Sequence, residues 1–280
     1  KSRMVLYESK KMKNVVYLDK SISTHKNNIT GKILKNNFVS VIDEEGPINN
    51  WPELFREIRL PRNIFLKKNF LNYFIRNNIE KNILKKKKIK NLTKVKNIGH
   101  PKFELLQKPI INIFNNEVLK IKKKFGNFVL INSSFMKDSI INFELYRLFL
   151  EKNYGKNRNQ KKLLKKYISQ IKNDEKNYFS LINLTISLAK QNPNFSFVFR
   201  CHPRQDIDLV IKRFPKNLKN LHITNKYSAM PWLIACAKFI HCHCTTVYEA
   251  AFLKKEIYSL RVDYNTFQDK NLNAIGYSFK

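Results

Sequence analysis

The sequence is poor in glycine and cysteine, with 6 glycines and 4 cysteines in 280 residues. It contains no G-x-G-x-x-G motif and no P-loop, so a classical dinucleotide fold and a P-loop NTPase are both poorly supported. The cysteines lack the spacing of a secreted disulfide framework, which favours a reducing compartment. They are Cys201, Cys236, Cys242 and Cys244.

Long apolar runs are also missing. No stretch approaches the roughly 18–20 apolar residues that cross a membrane, and the N-terminal residues lack the apolar run of a signal peptide. We therefore expect a cytoplasmic protein, with the inner face of the inner membrane left open as its location. The chain begins with Lys1, directly before a predicted strand, and stops at Lys280, so we expect both termini to be incomplete.

Acidic residues are scarce, with 21 Asp and Glu against 54 Lys and Arg and a net charge of +33. Such a charge fits a polyanion or an anionic membrane as a partner, or lysines that fill solvated faces because codon usage is biased. We favour the second interpretation, since the densest run, Lys85–Lys88, lacks the interleaved aromatic residues of a nucleic-acid stacking surface. Nucleic acid is not an expected partner, whereas weak contact with anionic lipid stays open.

The second half of the sequence alternates strands with helices, which predicts a parallel sheet. The predicted strands are Phe128–Ile131, Phe195–Arg200, Leu221–Ile223, Phe239–His241 and Ile257–Leu260, and the predicted helices are Lys176–Gln191, Ile207–Arg213, Ala229–Ala237 and Thr246–Phe252. Lys156–Lys166 is typical of a surface connector or an exposed helix.

The first half also alternates, with weaker patterns. Its predicted strands are Met4–Tyr7, Asn14–Leu18, Phe38–Ile42, Asn63–Leu66 and Lys94–Ile98, and its predicted helices are Trp51–Ile58, a basic stretch through Asn77, and Ile110–Lys124. We expect an α/β protein with two domains, 1–125 and 126–280.

An acidic run, Asp43, Glu44 and Glu45, follows the third of these strands and precedes Gly46. Ligands of open α/β sheets bind beyond the carboxyl ends of strands. Adjacent carboxylates raise one another's pKa, which suits a general base, and glycine permits a close approach of a ligand. The alternative is a solvated acidic turn, which is common.

Two donor-rich loops follow strands in the second half. The first begins at Arg200, and Pro203 removes a backbone donor and fixes its turn. His202 and Arg204 could then meet a phosphate or a base edge, or His202 could be a loop histidine without a partner. In the second, Thr245 and Thr246 precede a helix and suit an anion. Glu249 has capping-box spacing from Thr246, and its functional alternative is a carboxylate that binds ribose hydroxyls.

Four successive residues, His241, Cys242, His243 and Cys244, are all potential zinc ligands. Strand alternation would place the histidines on one face and the cysteines on the other. No second pair has zinc-finger spacing. We therefore expect no metal site.

The ordered motifs resemble those of bacterial surface carbohydrate biosynthesis proteins, which build capsule and lipopolysaccharide. The resemblance runs from Val15 to Leu260, and it is carried by Asp43–Gly46, Gly99–Leu106, Val129–Phe135, Phe199–Pro203, Pro231–Leu233 and His241–Ala251. It implies a GT-B fold of two Rossmann-like lobes that face a central cleft: an incomplete acceptor-side lobe and a donor-binding lobe.

The same motifs are similar to those of bacterial sialyltransferases and Kdo transferases, in which an acidic motif supplies the catalytic carboxylate. By this resemblance Glu44 is the first candidate, with Glu45 and Asp43 as close substitutes. His202 would contact the cytidylyl phosphate or ribose, and Thr245 and Thr246 the phosphate. Departures include Cys201 in place of proline, Gly99–Pro101 in place of Gly-Asn-Pro, and Cys242–Cys244 in place of small polar residues.

The leading expectation is a metal-independent glycosyltransferase without a cofactor, which uses a nucleotide-activated donor, CMP-linked by preference. Its acceptor would be lipid-linked or an oligosaccharide. Three alternatives stay open: a CDP-polyol phosphotransferase of the teichoic-acid type, a UDP-sugar 2-epimerase-like enzyme, and a non-enzymatic basic protein that binds nucleic acid.

Overall fold

A computed structural model of the chain describes residues 12–19, 33–42, 62–86, 88–135, 148, 151–152, 158–203, 205–260 and 276–279. The chain forms two compact units, 1–101 and 102–280. The predicted strand Met4–Tyr7, the predicted helix Trp51–Ile58, the acidic run 43–45 and Arg204 lie outside the described residues.

The first unit contains a four-stranded parallel sheet. Its strands are adjacent in chain order: β1 (Val16–Asp19), β2 (Phe38–Ile42), β3 (Phe70–Ile75) and β4 (Val95–Asn97). Helix α1 (Asn78–Lys86) and two 3₁₀ helices, Arg62–Leu66 and Leu92–Lys94, accompany the sheet. Parallel strands require such crossover connections between them.

Aromatic side chains fill the core of the first unit. Phe65, Phe70 and Tyr73 are fully buried, and the Phe65 ring lies edge-on to the other two, with centroids 5.4 Å and 5.5 Å away. Phe65 belongs to the 3₁₀ helix Arg62–Leu66, so the predicted strand Asn63–Leu66 is wrong. The predicted basic helix is wrong as well, because β3 occupies most of that stretch and buries Phe70 and Tyr73.

The second unit contains a six-stranded, fully parallel sheet. The strands are β5 (Phe128–Asn132), β6 (Ser196–Arg200), β7 (Leu221–Thr224), β8 (Lys238–His241), β9 (Glu256–Leu260) and β10 (Tyr277–Phe279), in the spatial order β10-β9-β8-β5-β6-β7. The first strand of this unit, β5, therefore lies at the centre of the sheet. Strands β6 and β7 lie on one side of it, and β8, β9 and β10 lie on the other side. This is the doubly wound strand order of a dinucleotide-binding fold, although the sequence lacks the G-x-G-x-x-G motif and did not favour that fold.

Helices cover both faces of this sheet. They are α3 (Asn115–Phe125), α4 (Arg158–Gln191), α5 (Ile207–Ile211), α6 (Ala229–Ala235) and α7 (Val247–Phe252), and a 3₁₀ helix, Ile110–Phe114, leads into α3. A short helix before them, α2 (Pro101–Glu104), begins at the last residue of the first unit. Every residue of β5 is buried, as expected of a central strand in a sheet covered on both sides. Residues 158–166 of the charged stretch belong to α4, where Leu164 is buried.

Two apolar clusters occupy the two faces. In one cluster, Ile131 and Phe199 of the sheet pack with Leu181 of α4. In the other, Leu130 packs with Ile121 of α3 and with Trp232 of α6. Because α3 packs in the second unit, the units divide between residues 101 and 102, whereas the sequence predicted a division between 125 and 126.

Candidate functional site

The site is built on the carboxyl ends of β5, β6 and β8, which are neighbours in the second sheet. The order of connection reverses at β5, since β6 continues the chain on one side and β8 begins the other side. Loops on the two sides of such a point diverge and leave a crevice, where doubly wound folds bind their ligands.

The last paired positions of the sheet form a row of polar residues. Cross-strand register joins Thr224 to Arg200, Arg200 to Asn132, Asn132 to His241 and His241 to Ser259. All five side chains are buried, directly beyond an apolar interior. Polar groups at such positions require hydrogen-bond partners, and within this terminal polar row Arg200 bonds to Asn132 and His241 to Ser259.

Asn132 at the end of β5 connects the other two strand ends. Its Nδ2 donates to Thr246 Oγ1 at 3.0 Å and lies 3.1 Å from Cys244 Sγ, while its Oδ1 accepts from Arg200 at 3.1 Å. The Thr246 hydroxyl and the Cys244 thiol are 2.6 Å apart. One buried amide therefore fixes the loop after β8 relative to the end of β6.

Arg200 is a buried cation within this network. One terminal nitrogen donates to Asn132, and the other donates to the backbone oxygen of Tyr227 at 3.1 Å. Burial lowers the pKa of its guanidinium, although arginine stays protonated in proteins. Its Nε is buried and has no hydrogen-bond partner among the described residues. This cation places positive charge directly beneath the loops.

His241 supports the loop after β8 from below. Its Nδ1 accepts a hydrogen bond from the backbone N–H of Cys244 at 3.3 Å, and its Nε2 lies 2.7 Å from Ser259 Oγ. An accepting Nδ1 leaves the proton on Nε2, so the ring donates to Ser259. Burial lowers the pKa of His241 to about 3, so the imidazole is neutral and serves to hold the backbone.

Thr245 and Thr246 lie at the tip of that loop. Thr245 is exposed and Thr246 is half-buried. Thr246 is the N-cap of α7 but makes no side-chain cap, since its hydroxyl contacts Asn132 and Cys244 instead. Within the part of the chain that the structure describes, the backbone N–H groups of both threonines make no hydrogen bond. The Thr245 hydroxyl and two backbone donors are therefore available together, and the Thr246 hydroxyl can offer its own proton when the Cys244 thiol donates to it.

Glu249 is buried one turn into α7. Its carboxylate lies 3.9 Å from the ammonium group of Lys102, which is the outer limit of an ion pair. The reciprocal Thr246–Glu249 capping box is incomplete, because the Thr246 side chain does not cap the helix.

His202 lies two residues beyond the end of β6. It is half-buried, Pro203 is exposed, and a tight turn brings them back towards Gln205. The His202 backbone N–H donates to the buried Gln205 Oε1 at 2.8 Å, and the Gln205 N–H donates to the His202 carbonyl at 2.9 Å. These reciprocal bonds fix the loop that presents the imidazole.

The His–Cys stretch is built into the protein interior. Burial lowers the pKa of His243 to about 4 and raises the pKa of the Cys244 thiol. Burial also raises the pKa of Cys201 to about 12, which keeps this thiol protonated and unreactive. No group of three or more potential metal ligands occurs among the described residues.

Sequence reasoning assigned no role to Asn132, Ser134, Gln205 or Cys244. Ser134 donates to the Cys242 carbonyl at 2.7 Å, so the loop after β5 also supports the loop after β8. Asn132–Ser134 follows a buried strand, as the two recognised loops do. Placement at a strand end was therefore the signal that could have identified it. Arg200 was identified, but it is buried beneath the loops.

No protein-family model matches the chain, and no curated protein is significantly similar to it in sequence. Two UDP-GlcNAc 2-epimerases are similar in structure. The enzyme from Neisseria meningitidis, solved with UDP-GlcNAc, has a TM-score of 0.54 and 17% identity, over 98% of this chain and 67% of its own. The enzyme from Methanocaldococcus jannaschii, solved with UDP-GlcNAc and UDP, has a TM-score of 0.52 and 16% identity, over 99% and 69%.

Likeness at this level of identity shows the fold alone. The chain has an α/β fold of the GT-B type with two parallel sheets, as the sequence predicted. Among the described residues, no helix is long and apolar enough to cross a membrane.

Proposed function

We propose that this protein is a glycosyltransferase that holds a nucleotide-activated sugar at the carboxyl edge of its second sheet. The observation that carries the proposal is the Asn132-centred network at the point where the strand order reverses. It fixes Thr246 beside a buried arginine and leaves backbone donors unused at the loop tip. Preorganised donors over a positive charge suit a diphosphate or phosphodiester group.

Each proposed donor-side residue has a distinct task. Thr245 and Thr246 bind phosphate oxygens through their hydroxyls and backbone N–H groups. His202, with Pro203 fixing its turn, contacts the phosphate or ribose from the end of β6. Arg200 acts beneath them as a source of positive potential and as a support for the loop after β7. Glu249 accepts from ribose hydroxyls.

The leaving phosphate is stabilised by protein groups in this proposal. The proposed catalytic carboxylate comes from Asp43, Glu44 or Glu45, with Glu44 as the first choice, and Arg204 adds charge to the phosphate site. These four residues lie outside the described residues. The acceptor is a lipid-linked or free oligosaccharide, and the enzyme works on the cytoplasmic side of the membrane.

The donor is CMP-linked in the leading version, because the His-Pro loop and the paired hydroxyls match the motifs of CMP-sugar transferases. A UDP-sugar 2-epimerase-like reaction is the second candidate. It is favoured by the structural similarity to two UDP-GlcNAc 2-epimerases over nearly the whole of this chain. Both versions require a nucleotide at the same strand ends. They differ in the nucleobase of that nucleotide and in the reaction that the enzyme catalyses.

A thermal-shift screen with CMP, CDP, UDP and GDP distinguishes these versions. A ligand that binds the folded state raises the melting temperature by mass action. The glycosyltransferase proposal expects the largest shift with CMP or CDP, whereas the epimerase candidate expects it with UDP. His202→Ala should reduce the shift without lowering the melting temperature of the free protein. An identical response to all four nucleotides would refute the proposal.

A further inference from the structure

The helical segment before β5 carries aliphatic side chains on its solvent side. Ile110, Ile113 and Leu119 are 43%, 61% and 65% exposed. Isolated exposed apolar residues are ordinary, whereas several on one surface indicate a contact. These three lie within ten positions of one another, beside exposed Lys120 and Lys123. We call these five residues the outer ridge.

Helical geometry places the outer ridge on one side. In a 3₁₀ helix, side chains three residues apart eclipse each other, so Ile110 and Ile113 align along Ile110–Phe114. Helix α3 follows this 3₁₀ helix directly in the chain. Its Lys120 and Lys123 lie on the same side as Ile110 and Ile113, and Leu119 lies beside the two lysines.

The opposite face of the same segment fixes its orientation. Val118 and Ile121 are buried in the apolar cluster that contains Trp232, and the Phe125 ring lies 5.5 Å from the Trp232 ring. Since α3 is anchored by this face, the outer ridge is held outward by the fold.

Charge identifies the partner that fits this surface. Between residues 102 and 125 the sequence has six lysines and two glutamates. Lysines that surround exposed Ile and Leu are typical of segments that lie in the interface of an anionic membrane. Lysine is depleted at the core of protein interfaces, and the outer ridge has no aromatic residue on which a nucleic-acid base could stack.

We propose that the outer ridge docks the protein onto an anionic lipid bilayer. Ile110, Ile113 and Leu119 enter the boundary between headgroups and acyl chains, while Lys120 and Lys123 contact lipid phosphates. This peripheral contact is independent of the nucleotide site. If the proposed function holds, it would also bring the enzyme to a lipid-linked acceptor.

Vesicle sedimentation of the full chain tests this proposal. Vesicles of phosphatidylcholine are compared with vesicles of phosphatidylcholine mixed with phosphatidylglycerol, and binding to the mixed vesicles is expected. Ile113→Ser combined with Leu119→Ser should weaken binding about tenfold or more, because apolar insertion is lost. Lys120→Glu combined with Lys123→Glu should also weaken it about tenfold or more.

Matched controls separate docking from general charge. Ile211 is 42% exposed on α5, and Lys216 and Lys219 are exposed in the loop that follows. Ile211→Ser, and Lys216→Glu combined with Lys219→Glu, should bind vesicles like the unmodified chain. Unchanged melting temperatures establish that every variant is folded. Equal losses in the control variants, unaltered binding of the serine double variant, or no binding to mixed vesicles would each overturn the proposal.

Discussion

Single residues at the strand ends decide how firmly the candidate site is held. Asn132→Ala should lower the free energy of unfolding by about 1–3 kcal/mol, because Arg200 and Thr246 each lose a buried hydrogen-bond partner. Asn116→Ala is the matched control, since Asn116 is exposed on α3 and should change stability by less than about 0.5 kcal/mol. Urea titration measures both. Equal stability of the two variants would contradict a structural role for Asn132.

His241 should make the protein sensitive to acid. Its pKa is lowered from an ordinary value of 6.5 to about 3, so the unfolded chain binds the proton more readily than the folded chain does. The stability that neutral His241 contributes is therefore complete above pH 6.5 and is lost as the pH falls towards 3. His241→Gln should reduce the loss of stability between pH 7 and pH 4.5 by about 2 kcal/mol.

The measurement is the free energy of unfolding by urea at several pH values. His222→Gln is the comparison variant: burial and the nearby Lys124 also lower the pKa of half-buried His222, so this variant should reduce the acid-dependent loss in the same direction but by less. If the His241 variant keeps the full acid sensitivity of the unmodified chain, then the imidazole is not held neutral as described.

The acidic run should matter for turnover and not for nucleotide binding. Glu44→Gln keeps the shape of the side chain and removes its charge. If Glu44 is the general base, turnover should fall about a hundredfold or more while nucleotide affinity is retained. Glu45→Gln tests whether the neighbouring carboxylate is the catalytic one instead. Glu104→Gln is a control with an exposed carboxylate. If both the Glu44 and Glu45 variants keep full activity, the acidic run does not supply the general base and is only a turn.

At the scale of elements, the two faces of α3 should respond differently to truncation. Ile121 is 2% exposed and packs in the core, so Ile121→Ala should cost about 2–5 kcal/mol of unfolding free energy. Leu119→Ala removes a similar volume from the solvent face and should change stability little. A comparison of their urea midpoints tests the assignment, and equal losses would mean that both faces are packed.

Five of the six strands of the second sheet, β5 to β9, could be located from the sequence, each to within one residue, whereas β10 was not predicted. They are short apolar runs bounded by polar residues, and burial on both faces requires that composition. Strand β3 was missed because Phe70–Ile75 follows Lys67 and Lys68, which directed the interpretation towards a basic helix. The preceding 3₁₀ helix was missed because the burial of Phe65 against Phe70 and Tyr73 depends on tertiary packing.

The loops of the candidate site were identified from their positions after strands, whereas the network that joins them was not. Asn132 bonds to Arg200 across 68 positions and to Thr246 across 114. Neither separation leaves a local pattern. Both contacts follow from the cross-strand register and from the reversal of strand order, which the alternation of strands and helices does not specify.

At the scale of the whole molecule, the central claim is that a nucleotide binds where the strand order of the second sheet reverses. Calorimetric titration of the best nucleotide from the thermal-shift screen tests this claim most directly, with Thr246→Val compared to the unmodified chain. Thr93→Val, an exposed threonine of the first unit, is the matched control. We expect the dissociation constant to rise about tenfold or more for Thr246→Val alone, since a hydroxyl that bonds a charged phosphate contributes about 1.5–3 kcal/mol. An unchanged dissociation constant in a folded Thr246→Val protein would contradict the claim.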